Sequence, residues 1–334
     1  MKLSASVYSN SVQDLHTTID QLEGHHIDML HVDCNDDPKV FDDVKKIRLQ
    51  SKLPIDLHLI TSEPQRYAAL LAQDPVEFLT LQFENLKDGQ WPSAGFQKLG
   101  LAITSSTPIE VFADHADKCD FVLLMATTPG KSGGEFDKDN FRRIREFKKR
   151  FPNKRIHVDG GVNAEVSFIL RNLGVHCAVS GSFLFNQRTV GSAVLGLKNG
   201  EASSRYLVKD FMLGLDETPT VGMKDLGLRS ILESIEKGRM SFTAIINAES
   251  GLEGIVSNAD VRKGLLKQMD DLHRLAPETL MNRNPIVVNE EQTVAELLRF
   301  IRHQPIPINF LPVVNSHGKL TGSLTFNDLI KGES

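Results

Sequence analysis

Ile156-His157-Val158-Asp159-Gly160-Gly161 closes a short apolar run with a carboxylate and two glycines, and two upstream stretches are built alike: Leu30-His31-Val32-Asp33 and Ile55-Asp56-Leu57-His58-Leu59. On an extended strand, residues two apart project to the same face, so His31 and Asp33 can bind one ion. His31, Asp33, His58 and Asp159 thus lie at the ends of three separate strand candidates. Two imidazoles and two carboxylates suit a divalent metal. Taken singly, each is explained as a polar residue at a strand end; together they point to a metal centre.

Outward from these stretches, the chain repeats one unit as far as about residue 195: a β-like run, a turn, then a helical stretch. The predicted strands are 2–9, 29–33, 55–60, 78–83, 100–104, 121–126, 155–159 and 178–182. Predicted helices include 12–24, 65–72, 136–150 and 163–173. Strands alternating with helices imply a parallel sheet. Eight such units close a (β/α)₈ TIM barrel, whose catalytic groups collect at the carboxyl ends of the strands. A doubly wound open sheet is the competing architecture, but it would carry fewer strands and offer one switch point.

A chain of 334 residues fits two domains. The net charge of −5, with both signs interspersed, leaves no electrostatic footprint for nucleic acid or an anionic membrane. No run approaches the roughly 20 apolar residues that span a bilayer, and no signal-like segment opens the chain, so a cytoplasmic protein is expected. Cys34, Cys119 and Cys177 are odd in number and form no CxxC pair, which argues against a disulfide framework or structural zinc.

Beyond the eighth unit, the polar stretch 197–205 is expected to be a linker between a barrel of residues 1–196 and a second domain of residues 206–334. There the chain resembles itself. Gly254-Ile255-Val256-Ser257-Asn258-Ala259-Asp260 and Gly322-Ser323-Leu324-Thr325-Phe326-Asn327-Asp328 share a glycine, a hydroxyl three residues on, and an aspartate three residues after that. Each copy is predicted to run β-α-β-β-α, a tandem module. Ser257, Asp260, Thr325 and Asp328 are candidate ligands for the ribose and phosphate of a nucleotide; equally, Ser257 and Thr325 can simply be helix N-caps.

The loops after strands six, seven and eight carry Gly133-Gly134, Gly160-Gly161 and Gly181-Ser182. Glycine lets backbone N–H groups approach an anion, and these loops of such barrels often hold phosphate.

With these motifs in view, residues 1 to about 195 resemble the ribulose-phosphate 3-epimerase family. The resemblance is carried by Ser6-Val7-Tyr8-Ser9, His31-Val32-Asp33, Asp56-Leu57-His58-Leu59, Met125, Pro129-Gly130, Gly133-Gly134, Val158-Asp159-Gly160-Gly161 and Ser180-Gly181-Ser182. Residues from about 206 onward resemble a pair of CBS modules, similar to the pair attached to arabinose-5-phosphate isomerases. The barrel resemblance implies that His31, Asp33, His58 and Asp159 bind one divalent ion (zinc, iron, manganese or cobalt) and that Asp33 and Asp159 exchange protons at C3 of the substrate. It further implies substrate contacts from Ser6, His58, Met125, Ser132, Gly133, Gly134, Gly160, Gly161, Gly181 and Ser182. The expected partners are a sugar phosphate, led by D-ribulose 5-phosphate, an adenosine nucleotide or nucleotide sugar at the CBS pair, and further copies of the chain in a homo-oligomer.

This chain departs from the family pattern in places. Asn35-Asp36-Asp37 replaces Met-Asp-Gly, with a shortened loop after it; Ile60 replaces a methionine; Gln82 stands where a histidine precedes Glu84; Lys131-Ser132 replaces Phe-Gly. An epimerase of a different ketose phosphate and a catalytically weakened sugar-phosphate sensor therefore stand as alternatives.

Overall fold

The computed structural model describes residues 1–87, 91–129, 133–199, 206–271, 275–304 and 308–326. They fall into two compact units, 1–199 and 206–326.

In the first unit, eight strands form a closed parallel barrel in chain order: β1 (Lys2–Ser6), β2 (Met29–Cys34), β3 (Ile55–Leu59), β4 (Val76–Gln82), β5 (Phe96–Thr104), β6 (Phe121–Met125), β7 (Arg155–Asp159) and β8 (Cys177–Ser180). Strand β8 pairs back onto β1. The strands read as continuous apolar runs because both faces are covered; every residue of β3 and β6 is buried. Around them lie α1 (Leu15–Glu23), α2 (Val40–Gln50), α3 (Ala68–Gln73), α4 (Asp139–Arg150), α5 (Ala164–Asn172), α6 (Ser182–Asn186) and α7 (Val190–Asn199). Two start signals are local: the Asp14 side chain accepts from Thr17 N–H to cap α1, and Asn163 accepts from Val166 N–H to cap α5.

Several predicted boundaries need correction, among them β5, which starts at Phe96, and α4, which starts at Asp139. The first strand ends at Ser6, and Val7–Ser9 turn into a 3₁₀ segment. Helix α1 begins at Leu15, after its cap, leaving Val12 90% exposed. The stretch 65–72 divides into a 3₁₀ turn, Pro64–Tyr67, and α3. Helix α7 runs through Asn199, because Leu197 is a core residue whose carbonyl accepts from Ser167 Oγ at 2.6 Å, so the polar connection starts later than residue 197.

Alternate strand residues fill the barrel. Phe78, Phe121 and His157 pack as its floor, Phe121 and His157 stacked at 4.1 Å between ring centroids. Above the floor sit polar side chains: Ser4, His31, Asp56, His58 and Gln82 are all buried. Register places His31 beside Asp56 and Asp33 beside His58.

The second unit comprises α8 (Val208–Phe211), β9 (Leu213–Gly214), β10 (Thr220–Gly222), α9 (Leu228–Gly238), β11 (Phe242–Ile246), β12 (Leu252–Ser257), α10 (Asn258–Lys267), β13 (Val288–Asn289), α11 (Val294–Arg302), β14 (Phe310–Val314) and β15 (Leu320–Thr325). Its sheets are β10-β11-β12 and β13-β14-β15-β9. The duplication extends to detail. Each copy pairs a parallel strand with an antiparallel hairpin, and the hairpin register shifts at matching places, Ile245/Ile246 and Val313/Val314. Phe242 and Phe310, equivalent in the two copies, stack at 4.1 Å and 7°. Among the described residues, no helix is long and apolar enough to cross a membrane.

Candidate active site

The carboxyl ends of β2, β3 and β7 bring together the four side chains singled out in the sequence. His31 Nε2 lies 3.4 Å from Asp33 Oδ1 and 3.9 Å from Asp159 Oδ2. His58 Nδ1 lies 3.2 Å from the same Asp33 oxygen. His31, His58 and Asp159 offer ligand atoms within 4.8 Å of one another. Nε2 of His31 is buried with no hydrogen-bond partner among the described residues, although it is aimed at two carboxylates. A buried nitrogen facing two carboxylates in this way fits a cation held between these groups.

Behind the four stands a supporting shell that strand-end motifs do not reveal. His31 Nδ1 donates to Asp56 Oδ2 at 2.9 Å, and Ser4 Oγ donates to the same oxygen at 3.0 Å. This fixes the tautomer of His31 and turns Nε2 toward the centre. His58 Nε2 lies 2.8 Å from Gln82 Oε1. The roles of Asp56 and Gln82 depend on cross-strand register; a carboxylate two residues before a candidate ligand histidine was the only local signal for Asp56.

The electrostatics suit a cation. Burial lowers the proton affinity of His31, but Asp56 and Asp33 outweigh it and raise its pKa well above the ordinary histidine value. The two candidate proton carriers are driven apart. For Asp33, burial opposes the charged form, yet the neighbouring His31 and His58 hold the carboxyl far below the usual range. Asp159 is pushed up to about 6, by burial first and by repulsion from Asp33, against the attraction of His31. Paired acids with separated proton affinities are what a two-carboxylate proton transfer needs. Two imidazoles and two carboxylates fit a borderline divalent ion such as zinc, iron, manganese or cobalt.

Above this centre opens a cleft of about 700 Å³, including its mouth, lined by Ser6, Asp33, Asp159, Gly133, Gly160, Gly161, Gly181 and Ser182 among the predicted residues. Tyr8, Ser9 and Asn35, which stood in the quoted motifs without an assigned role, also line it, as do Thr127 and Val162, which no sequence motif marked. Gly160 and Gly161 have φ of +106° and +64°, and a side chain at either would run into Thr127 or the backbone of Phe136, so the chain turns tightly around the cleft. Gly134 packs against Thr127. Met125 is buried below, in a cluster with Ala102, Leu123 and Val179. Ser132 lies outside the described residues. Only residues 35–39 connect β2 to α2, and across that side Tyr8 donates to Asp43 at 3.0 Å.

In the second unit, Ser257 is the N-cap of α10. Its hydroxyl accepts from Asp260 N–H at 3.3 Å, and the Asp260 carboxylate accepts from Ser257 N–H at 2.9 Å and from Ser257 Oγ at 2.5 Å. This is a capping box. Thr325 ends β15 opposite Phe310, as Ser257 ends β12 opposite Phe242. Asp328 lies outside the described residues.

Residues 2–185 match the model of the ribulose-phosphate 3 epimerase family, and residues 278–333 match that of the CBS domain. The ribulose-phosphate 3-epimerase of Bacillus subtilis is 27% identical over 219 residues, covering 60% of this chain and all of that protein. That of Schizosaccharomyces pombe is 25% identical over 211 residues, covering 59% of this chain and 92% of the relative. Among solved structures, the complex of CBSX2 with AMP is 22% identical and covers 39% of this chain and 96% of that one, with a TM-score of 0.32. By its barrel, which makes up more than half of the sequence, the chain belongs to the ribulose-phosphate 3-epimerase family, a carbohydrate epimerase followed by a CBS pair.

Proposed function

We propose that residues 1–196 invert C3 of a ketose phosphate, with D-ribulose 5-phosphate and D-xylulose 5-phosphate as the leading pair, and that His31, Asp33, His58 and Asp159 hold a divalent ion for this reaction. The observation that carries the proposal is the arrangement of Asp33 and Asp159 on either flank of His31, with proton affinities displaced in opposite directions. When bound, the ion supplies Lewis-acid polarisation of the substrate ketone, which offsets several kcal/mol of developing negative charge. Asp33, held ionised, is suited to accept the C3 proton, and Asp159, with its raised affinity, to return one from the other side; in the reverse direction the roles exchange. Backbone N–H groups around Gly160, Gly161, Gly181 and Ser182 are suited to hold the phosphate, and Ser6 the sugar. Ser9 Oγ donates to Ser6 Oγ at 3.0 Å and steadies it.

For residues 206–334 the proposal is nucleotide-responsive regulation, with Ser257, Asp260 and Thr325 on an adenosine-containing ligand. A capping box occupies one carboxylate oxygen of Asp260 and leaves the other for a ribose hydroxyl.

The decisive test of the barrel is metal analysis of the purified full chain, followed by incubation with candidate ketose phosphates in D₂O. Stoichiometric divalent metal and deuterium at C3 of one pentulose phosphate, with formation of its epimer, support the proposal. Tight binding of a sugar phosphate with no exchange at any carbon would overturn it in favour of a sensor.

A further inference from the structure

His58 can turn an Nδ1 lone pair toward a cation only when its ring proton sits on Nε2. Asp33 works against this, since its Oδ1, 3.2 Å from Nδ1, favours the tautomer with the proton on Nδ1. On the other side of the ring, Nε2 meets Oε1 of the buried Gln82 at 2.8 Å. An amide has one accepting and one donating end, and the donating end of Gln82 is committed to the Glu84 carboxylate, which only accepts. Glu84 is itself tied down: its Oε1 accepts from Thr104 N–H at 2.8 Å, from Thr104 Oγ1 at 2.9 Å and from Thr107 Oγ1. Burial pushes the Glu84 carboxyl up, but these hydrogen bonds outweigh it and hold its pKa below the ordinary value, so it stays ionised. Turning the amide over would set its oxygen against that carboxylate and its NH₂ against the His58 N–H. The amide therefore faces His58 with its oxygen.

We propose that Gln82 is a positioning residue: oriented by Glu84, it holds the His58 proton on Nε2 against the pull of Asp33 and keeps Nδ1 free to donate to the cation. The role rests on the metal-dependent reading of the barrel, and it concerns a position at which this chain carries an amide in place of a histidine. Partners of this kind typically change metal affinity by roughly 10- to 100-fold when removed.

Two readouts that do not involve turnover test it. In metal-stripped, full-length protein labelled with ¹⁵N at histidine, the His58 ring nitrogens should show the Nε2–H tautomer, and Gln82→Leu should move the population toward Nδ1–H. In competition with a chromophoric chelator, Zn²⁺ should bind Gln82→Leu roughly 10- to 100-fold more weakly than the parent. Glu84→Gln leaves His58 and Gln82 in place but lets the amide turn over; it should move both readouts the same way and carries the test if Gln82→Leu does not fold. Parent protein that takes up no Zn²⁺ would overturn the metal reading itself. Parent that binds Zn²⁺, with folded variants that bind it equally tightly and keep the parent tautomer, would overturn the role of Gln82 alone.

Discussion

Asp33 and Asp159 approach one and the same atom, Nε2 of His31, to 3.4 and 3.9 Å, although their strands β2 and β7 are separated around the barrel by β1 and β8. Their side chains remain 19% and 17% exposed while the histidine between them is sealed. The carboxylates thus form the interface between a dry interior and the cleft.

Asp33→Asn and Asp159→Asn should each lower turnover by roughly 10²- to 10⁴-fold, the usual contribution of a positioned acid or base, with further loss where metal binding weakens. Steady-state rates at saturating metal, on a substrate the parent converts, check this. Parent-like turnover in both variants is incompatible with the proposed proton transfer.

At Gly181 a side chain would run into Ser9, which in turn is bonded to Ser6. Gly181→Asp adds a negative charge beside the proposed phosphate position. Like charges about 4 Å apart near a surface repel by up to about 4 kcal/mol, so KM should rise by at least about tenfold. Gly181→Ala should raise it less. Equal KM values for parent and both variants would place the phosphate elsewhere.

His157 lies under the site, buried, with neither ring nitrogen bonded among the described residues. Burial lowers its pKa from 6.5 to about 3, against a weaker attraction from Asp56. Between those values the unfolded chain binds a proton that the folded barrel excludes, so the contribution of this group to stability falls as pH falls, by up to roughly 1.4 kcal/mol per pH unit. His157→Leu should therefore lose less stability than the parent between pH 7 and pH 5, measured by chemical denaturation. Parallel losses would show that another group sets the acid limit.

For the second unit, Ser257→Ala should cost about 0.5–2 kcal/mol through loss of the cap, with or without ligand. A bound nucleotide at a hundredfold excess over Kd adds about 2.7 kcal/mol of stability. A thermal shift with an adenosine nucleotide or nucleotide sugar, lost in Asp260→Ala, would assign the motif to ligand binding. A cap effect with no shift from any such ligand would leave it structural.

The alternation of apolar and polar residues made His31, Asp33, His58 and Asp159 legible as a set, because a period of two marks one face of a strand. Their support was not legible. Asp56 matters through its pairing with His31, and Gln82 through its diagonal approach to His58 from two residues past Thr80, the register partner of His58 on the adjoining strand; registers are properties of the closed barrel, which no local window contains. The eight strands were readable as buried apolar runs, whereas element ends were displaced by local geometry: the 3₁₀ turn Val7–Ser9 shortens β1, and the Asp14 cap delays the start of α1. Ser257 carried two readings in the sequence, and the structure shows it capping α10.

The five-residue connection from β2 to α2 also bears on isotopes. With so little chain over that side of the cleft, the proton carriers of the proposed epimerisation stay in contact with bulk water, and an acid wetted in this way trades its hydrogen with solvent between one transfer and the next. A turnover in heavy water should then label the recovered starting sugar as well as its epimer, because hydrogen removed from carbon is diluted into the solvent before either face is reprotonated.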